Sequence, residues 1–405
     1  MKSMLAGAAS LIATALVVPL ISQAPRVFPS IDVRAPVQPH PFVASGVTYL
    51  VYELHITNLS SRVTTIDGLE VRERSSLDAP PLLRLEKDAL EAALYRPGAP
   101  PDDAEKKTLP AGRTAIAFIW IPLHSRNVPA ALTHRFDVHV AGPSATDDAA
   151  FSINGVEIPV SPKTPPILGP PLEGDLWLAA NGPDNGVGHR RTLLAFAGEA
   201  RIAQRFATDW VRLFDDGRTF RGDPRDNASY RAFGARVLAV ADGTVVDTVD
   251  GVPENVPDPV ARAVPITPDT LGGNDIVLDL GNGTYATYAH LQPGSLKVKK
   301  GDRVRKGQPL ALLGNTGNSS EPHLHFQVAD GRKAFDAEGI PFVFASFDLE
   351  AEPAQVTPAI REVGGSFGID PARLATWLRA PAQRREKELP LLNAIVKFAA
   401  PSSGR

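Results

Sequence analysis

Three of the nine histidines in this 405-residue chain lie within 36 residues of strand-like sequence: His290, His323 and His325. His323 and His325 are two positions apart, and on a β-strand this spacing places both imidazoles on one face, about 6–7 Å apart. One ring of such a pair can bind a metal while the other reaches a water or a substrate. An isolated pair of this kind is more often a solvated strand face, so its surroundings decide the interpretation.

The chain has no cysteine, so histidine and aspartate are the candidate ligands for a metal. Zinc accepts both, and a catalytic zinc site has three protein ligands and one position for water. Either His323 or His325 can supply one ligand. Asp209 lies among apolar residues, where a carboxylate is costly unless it is paired or metal-bound. The third ligand should be a histidine, and His189 is the other histidine of this region.

Each of these residues also has an ordinary interpretation. Asp209 could pair with Arg205 or Arg212, and His189 and His290 could be loop or surface residues. The remaining five histidines all precede residue 165 and are interpreted as ordinary surface or packing residues: His40, His55, His124, His134 and His139.

The elements around these residues are expected to be mainly strands and turns, because the chain contains 38 prolines and 33 glycines. Apolar residues alternate over 47–57, and further strands are expected over 66–71, 115–122 and 133–141, with one short helix over 85–95. Several short strands separated by turns predict a β-sandwich domain over residues 40–160. A proline-dense segment follows, and we expect a domain boundary near residue 165.

The second part of the chain is again strand and turn over residues 172–345, with glycines between the strands. After residue 350 the pattern changes to helix, over 371–379 and 386–398. The predicted fold is therefore mainly β: a sandwich, a second β domain over 172–345, and a short helical tail over 350–405.

A series of segments between about residues 185 and 335 resembles the lysostaphin-like (LytM-type) zinc metallopeptidases, which cut peptide cross-links in bacterial peptidoglycan. The segments that carry the resemblance are 234–246, 274–279, 285–291, 298–308, 314–318 and 323–326. Their order, their glycine turns and all three histidines match. The resemblance implies an antiparallel β-sheet of the duplicated hybrid motif type with a substrate groove. The segments 219–230 and 250–271 are longer than a minimal domain needs and are expected to rim that groove.

The resemblance also implies roles for individual residues. Asp209 and His325 would bind zinc, and His290 and His323 would flank the water that the zinc activates. The family usually has a histidine four residues before the aspartate, but here that position is Arg205, which stays protonated and cannot bind zinc. We expect His189 to replace it, with 19 residues between it and Asp209. No His-Glu-x-x-His sequence signals a glutamate base, so His290 and His323 are the expected proton carriers.

The N-terminus has the pattern of an export signal over residues 1–24. Lys2 is followed by an apolar stretch over 4–21 and by Ser22-Gln23-Ala24, which resembles a cleavage site. The stretch is also long enough to remain as a membrane anchor. Either outcome predicts an exported protein, in the periplasm, in the cell envelope or secreted.

Three other functions are alternatives to a zinc endopeptidase: nucleic-acid binding, a role as an inactive family member, and a role as a carrier domain. The net charge of −3 and the absence of a basic stripe argue against nucleic acid as a partner. An inactive member of the same family would bind cell-envelope partners or activate other cell-wall hydrolases, and the missing histidine at position 205 favours it. Residues 298–313 also resemble the hairpin of biotinyl and lipoyl carriers, but no lysine follows Gly314 where the modified residue would stand.

Overall fold

The computed structural model describes residues 28–98, 105–125, 127–196, 198–363 and 366–400. These residues are mainly in strands, so the predicted mainly β fold class is confirmed. The signal or anchor expected over residues 1–24 lies outside the described residues. No helix among those described has the length and apolar character that a membrane span requires. The α-helices are α1 (Lys87–Ala93), α2 (Gly188–Arg191), α3 (Pro353–Val356) and α4 (Pro371–Leu378).

The first ten described strands form two five-stranded sheets that face each other. In chain order they are β1 (Ile31–Arg34), β2 (Phe42–Ala44), β3 (Val47–Asn58), β4 (Thr64–Glu73), β5 (Leu83–Glu86), β6 (Leu94–Tyr95), β7 (Thr108–Leu109), β8 (Thr114–Leu123), β9 (Ala131–Val140) and β10 (Ala149–Pro159). One sheet has the order β1-β3-β8-β6, with β2 on β3, and the other has the order β10-β9-β4-β5, with β7 on β4. Alternate apolar residues such as Leu50, Ile56 and Phe136 point between the sheets and are completely buried.

The next thirteen described strands contain the histidine-rich region. They are β11 (Ile167–Leu168), β12 (Gly174–Ala180), β13 (Leu194–Phe196), β14 (Glu199–Arg201), β15 (Thr208–Arg212), β16 (Arg236–Leu238), β17 (Gly243–Val249), β18 (Asn274–Gly281), β19 (Thr284–Leu291), β20 (Arg303–Val304), β21 (Pro309–Leu312), β22 (Leu324–Ala329) and β23 (Val343–Ala351). The last four are β24 (Ile360–Val363), β25 (Ser366–Ile369), β26 (Gln383–Glu388) and β27 (Ile395–Phe398).

Within the described residues these strands build one eleven-stranded sheet, whose order is β11-β23-β27-β12-β15-β22-β19-β18-β17-β20, with β26 paired on β23. In this sheet β11 runs parallel to β23, and the other described neighbours run antiparallel. Three small two-stranded pairs accompany it: β13 with β14, β16 with β21, and β24 with β25. The large sheet therefore includes strands from both sides of the 172–345 range expected from the sequence.

The helix prediction over 386–398 is wrong, because this segment holds the end of β26 and the whole of β27. Pro390 cannot donate within a helix, and Asn393 has a φ of 65°, which ends any helical run there. β27 lies between β12 and β23, where its backbone pairs on both sides and Ile395 is fully buried. The helix expected over 371–379 is present as α4, and it begins after Asp370, whose carboxylate accepts from two backbone N–H groups.

The sandwich has an apolar core of its own, and a few of its residues also belong to the core of the large sheet. Phe42 and Val51 of the sandwich are buried in the same cluster as Trp177 and Phe206. The rings of Phe42 and Phe206 meet edge to face, with 5.4 Å between their centroids. The two parts of the chain therefore pack against each other through apolar side chains.

Candidate metal centre

Neighbouring strands of the large sheet bring the candidate site residues together. Asp209 on β15 lies directly opposite His325 on β22. His325 is also opposite Ala289 on β19, which places His290 beside it. His323 immediately precedes β22. Antiparallel pairing thus collects residues that are more than a hundred positions apart in the chain.

His189, Asp209 and His325 form a group whose potential ligand atoms all lie within 4.8 Å of one another. His189 Nε2 is 3.4 Å from Asp209 Oδ2, and His325 Nδ1 is 2.9 Å from Asp209 Oδ1. The rings of His189 and His325 are nearly perpendicular, with 4.9 Å between their centroids. The structure therefore brings together the three residues that the sequence proposed as ligands.

Arg205, where the family usually has a histidine, lies outside this group. Its buried guanidinium pairs with Glu53 and Glu338, and it donates to the Gly339 carbonyl at 2.7 Å. The imidazole beside Asp209 therefore does not come from position 205 but from His189 of the short helix α2.

The hydrogen bonds of His189 suit a metal ligand. Its Nδ1 donates to the Asn181 carbonyl at 3.0 Å, which leaves the lone pair of Nε2 facing Asp209. Histidines that bind metals usually donate their second ring nitrogen in this way. The Asn181 amide also donates to Asp209 Oδ2 at 2.9 Å. Asn181 was missed by sequence reasoning, because neither contact follows from its neighbours in the chain.

The hydrogen bonds of His325 provide a direct test of whether a cation fits. The Gln327 amide nitrogen donates to the Ala334 carbonyl, so Gln327 Oε1 faces His325 Nε2 at 2.9 Å and that nitrogen must carry a proton. In the neutral ring, Nδ1 then presents a lone pair to Asp209 Oδ1 at 2.9 Å. Two acceptors this close repel each other unless a proton or a metal ion lies between them. The donor set of two histidines and one carboxylate fits zinc.

His290 and His323 lie beside this group, with their rings 4.7 Å apart. His290 Nδ1 donates to the Thr316 carbonyl at 2.7 Å, and His323 Nδ1 donates to the Glu321 carbonyl at 2.8 Å. Nε2 is therefore the available nitrogen in each ring. The backbone of His290 has a φ of 64°, which a β-carbon disfavours. Strain of this kind is typical of functional positions whose surroundings hold them in place.

The charges of these groups influence one another strongly in the metal-free protein. Burial would raise the pKa of Asp209, but the imidazoles of His189 and His323 outweigh it and hold that pKa well below its usual range. Burial and the nearby rings of His323 and His325 hold the pKa of His290 well below its usual value. Burial also lowers the pKa of His189. For His323 burial acts downward, but the Asp209 carboxylate outweighs it and raises the pKa.

All five residues line one small cavity of about 210 Å³, and the ring of Phe335 lines it too. A larger groove of about 590 Å³ continues from it and shares Asp209 and His323. Pro224 and Tyr230 line this groove, as do residues 257–259, so both long inserts lie at its rim as expected. The hairpin of β24 and β25 forms another wall, which sequence reasoning missed because it assigned this region to a helical tail.

Residues 228–337 match Peptidase family M23, so the resemblance stated from the sequence motifs is confirmed for this region. The match includes His290, His323 and His325, whereas His189 and Asp209 lie before it. Peptidoglycan DD-endopeptidase ShyA of Vibrio cholerae is 34% identical over 103 residues, which are 25% of this chain and 24% of that protein.

Two further relatives differ in what their names describe. Glycyl-glycine endopeptidase ALE-1 of Staphylococcus capitis is 47% identical over 57 residues, 14% of this chain and 15% of that protein. Murein hydrolase activator EnvC of Escherichia coli is 31% identical over 97 residues, 24% of this chain and 18% of that protein. The aligned region spans a quarter or less of each of these three relatives.

Proposed function

We propose that this protein is an exported zinc metalloendopeptidase that hydrolyses peptide cross-links of bacterial peptidoglycan. The observation that carries the proposal is the group of His189, Asp209 and His325, with two further histidines aimed into the same cavity. The similarity to proteins named as a peptidoglycan DD-endopeptidase and a glycyl-glycine endopeptidase supports the substrate class.

The residues divide into metal ligands and proton carriers. His189 through Nε2, Asp209 through its carboxylate and His325 through Nδ1 would hold the zinc. When bound, zinc supplies Lewis-acid chemistry that activates water at neutral pH and polarises the scissile carbonyl. His290 and His323 keep their Nδ1 protons on backbone carbonyls, so each presents Nε2 to the cavity. At that atom each ring can accept a proton from the attacking water or donate one to the leaving amine.

The proposal is tested by separating zinc binding from catalysis. We expect purified wild-type protein to hold zinc and to release fragments from cross-linked peptidoglycan, and chelation to abolish this activity until zinc is returned. His325→Ala should lose zinc. His290→Ala should keep zinc but lose about 10²–10⁴-fold in activity, the usual contribution of a general acid or base. Full zinc occupancy in His325→Ala would refute the ligand assignment.

Export is part of the proposal and has its own test. Expression of the full chain in a Gram-negative host, followed by fractionation and mass analysis, should place the protein in the envelope fraction. Loss of the first 24 residues would identify a signal peptide, whereas an intact N-terminus in the membrane fraction would identify an anchor. Recovery of the intact chain in the cytoplasm would contradict export.

A second candidate function is activation of another cell-wall hydrolase without catalysis. The similarity to a protein named as a murein hydrolase activator favours it, as does the arginine at position 205. On this alternative the purified protein would leave cross-linked peptidoglycan intact even when loaded with zinc, and would raise the activity of a partner hydrolase.

A further inference from the structure

The segment that carries His189 has little structure of its own. Helix α2 has only four residues, and it lies between the end of β12 and the start of β13. Its neighbours bond to the sandwich instead. The Asn185 amide donates to the Phe118 carbonyl at 3.0 Å, and Arg191 donates to the Ala92 carbonyl at 2.7 Å.

Arg190, directly after His189, is the strongest of these attachments. Its side chain is completely buried. It forms an ion pair with Glu53 of β3 and donates to the carbonyls of Tyr52 and Ile119 at 3.0 and 3.1 Å. The guanidinium also lies 5.3 Å from the centre of the Phe118 ring. The residue next to the proposed ligand is thus fixed by three side-chain bonds to the sandwich.

Glu53 also binds Arg205. The two are 2.9 Å apart at their closest charged atoms, and Arg205 reaches Glu338 at 2.7 Å. Glu53 itself is 1% exposed. Two arginines and two glutamates therefore form a buried network with balanced charge. Burial would raise the pKa of Glu53, but Arg205 and Arg190 outweigh it and lower that pKa, so the network is ionised.

The same network connects Arg205 with the segment that carries His189. The position four residues before Asp209 is occupied by Arg205, which is committed to Glu53. The same glutamate holds Arg190, whose neighbour His189 provides the missing imidazole. The Glu53 carboxylate of the sandwich therefore contacts both Arg205, at the position where the family usually has a histidine, and Arg190, which is next to His189.

We infer that Glu53 is a positioning residue for the metal site: through Arg190 it holds His189 where it can bind zinc, so the N-terminal sandwich is a working part of the centre. This inference rests on the proposed function, since it requires His189 to be a ligand. If Glu53 were lost, Arg205 would keep Glu338, but the buried guanidinium of Arg190 would have no carboxylate partner, and a strongly unfavourable buried charge would remain. The α2 segment would then shift or loosen.

The direct test is the zinc affinity of the full chain, measured by competition between the metal-free protein and a chromophoric chelator. We expect Glu53→Gln to weaken zinc binding about 10–100-fold, the range typical of residues that orient metal ligands. The matched control is Glu70→Gln. Glu70 is 5% exposed and pairs with Arg72 and Arg84 within the sandwich, and its loss should leave zinc affinity unchanged.

A double-mutant cycle on zinc affinity distinguishes an effect of Glu53 through His189 from a general loss of stability. If Glu53 acts through His189, then Glu53→Gln should have no further effect in a His189→Ala background, because contacts acting through one group are not additive. Additive losses would indicate general destabilisation and overturn the inference. Should Glu53→Gln not give folded protein by circular dichroism, Arg190→Lys tests the same link, since it keeps the charge but loses the fork that reaches Glu53 and two carbonyls.

The outcomes distinguish this inference from the proposed function. Unchanged zinc affinity in His189→Ala would show that His189 is not a ligand, and both the ligand set and the inference would fail. A large loss in His189→Ala with wild-type affinity in Glu53→Gln would overturn the inference alone. The expected result is a loss of zinc affinity in both single variants, with the double variant no weaker than His189→Ala alone.

Discussion

At the scale of single residues, the contact between His325 and Asp209 is the feature that most directly indicates a cation site. The tautomer of His325 decides whether the 2.9 Å contact between its Nδ1 and Asp209 Oδ1 is a hydrogen bond or a pair of acceptors that a cation can bridge. Gln327 sets that tautomer, because its amide is itself fixed by the Ala334 carbonyl. A residue that touches no metal thereby determines which nitrogen of His325 is available to one.

Gln327 should therefore control zinc affinity. Gln327→Met keeps the volume of this fully buried side chain but removes the acceptor at His325 Nε2, and we expect zinc binding to weaken about 10–100-fold. Gln327→Glu keeps an acceptor there and is expected to lose less. Chelator competition on both purified variants measures the difference. Equal affinities for Gln327→Met and wild type would contradict the role given to Gln327.

How far the site could be predicted from sequence differs from residue to residue. His290, His323 and His325 stand in motifs with characteristic turns, so local pattern suffices for them. His189 follows only from the count of available histidines, since the distance between it and Asp209 depends on how β12, β15 and α2 pack. Gln327 is two positions after His325 on the same strand, so the alternation of side chains along a strand could have placed it on the same face as His325. The Ala334 carbonyl that fixes its amide belongs to a turn that no pattern predicts.

At the scale of elements, the register of β15 against β22 positions two of the proposed ligands, and the surrounding strands keep that register. β12 pairs with β15 on one side and with β27 on the other. The segment that leads into β27 resembles a short amphipathic helix, because the apolar residues Leu389, Leu392 and Val396 recur at intervals of three and four. Its partner β12 lies more than two hundred residues earlier, so no local pattern could reveal the pairing.

The strand assignment of β27 makes Ile395 a core residue of the large sheet. Ile395 is fully buried opposite Leu178, whereas Lys397, two positions later on the same face of the strand, is exposed. Ile395→Ala should lower the free energy of unfolding by about 2–5 kcal/mol, and Lys397→Ala should change it by less than about 0.5 kcal/mol. Denaturant unfolding of the two variants provides the measurement. Similar effects at both positions would show that Ile395 is not buried in the middle of the sheet.

At the scale of the whole molecule, an apolar cluster joins the sandwich to the large sheet, and we expect the two to unfold together. Phe42 and Phe206 meet in this cluster, and the backbone N–H of Leu389 donates to the Val43 carbonyl at 2.9 Å. The Glu53 network adds buried ion pairs across the same junction. Domains that meet through a small polar interface move and unfold independently, whereas a large apolar interface couples them.

This continuity predicts a single heat-induced unfolding transition for the full chain. Phe42→Ala removes a ring that is 2% exposed and contacts Tyr49, Trp120 and Phe206, and it should lower the free energy of unfolding by about 3–5 kcal/mol. Because the core is shared, the transition should move as a whole in scanning calorimetry. Phe28→Ala, at a ring 66% exposed, is the matched control and should leave the midpoint unchanged. Two separate transitions in the wild type, or a shift confined to one of them in Phe42→Ala, would show that the sandwich and the large sheet fold independently.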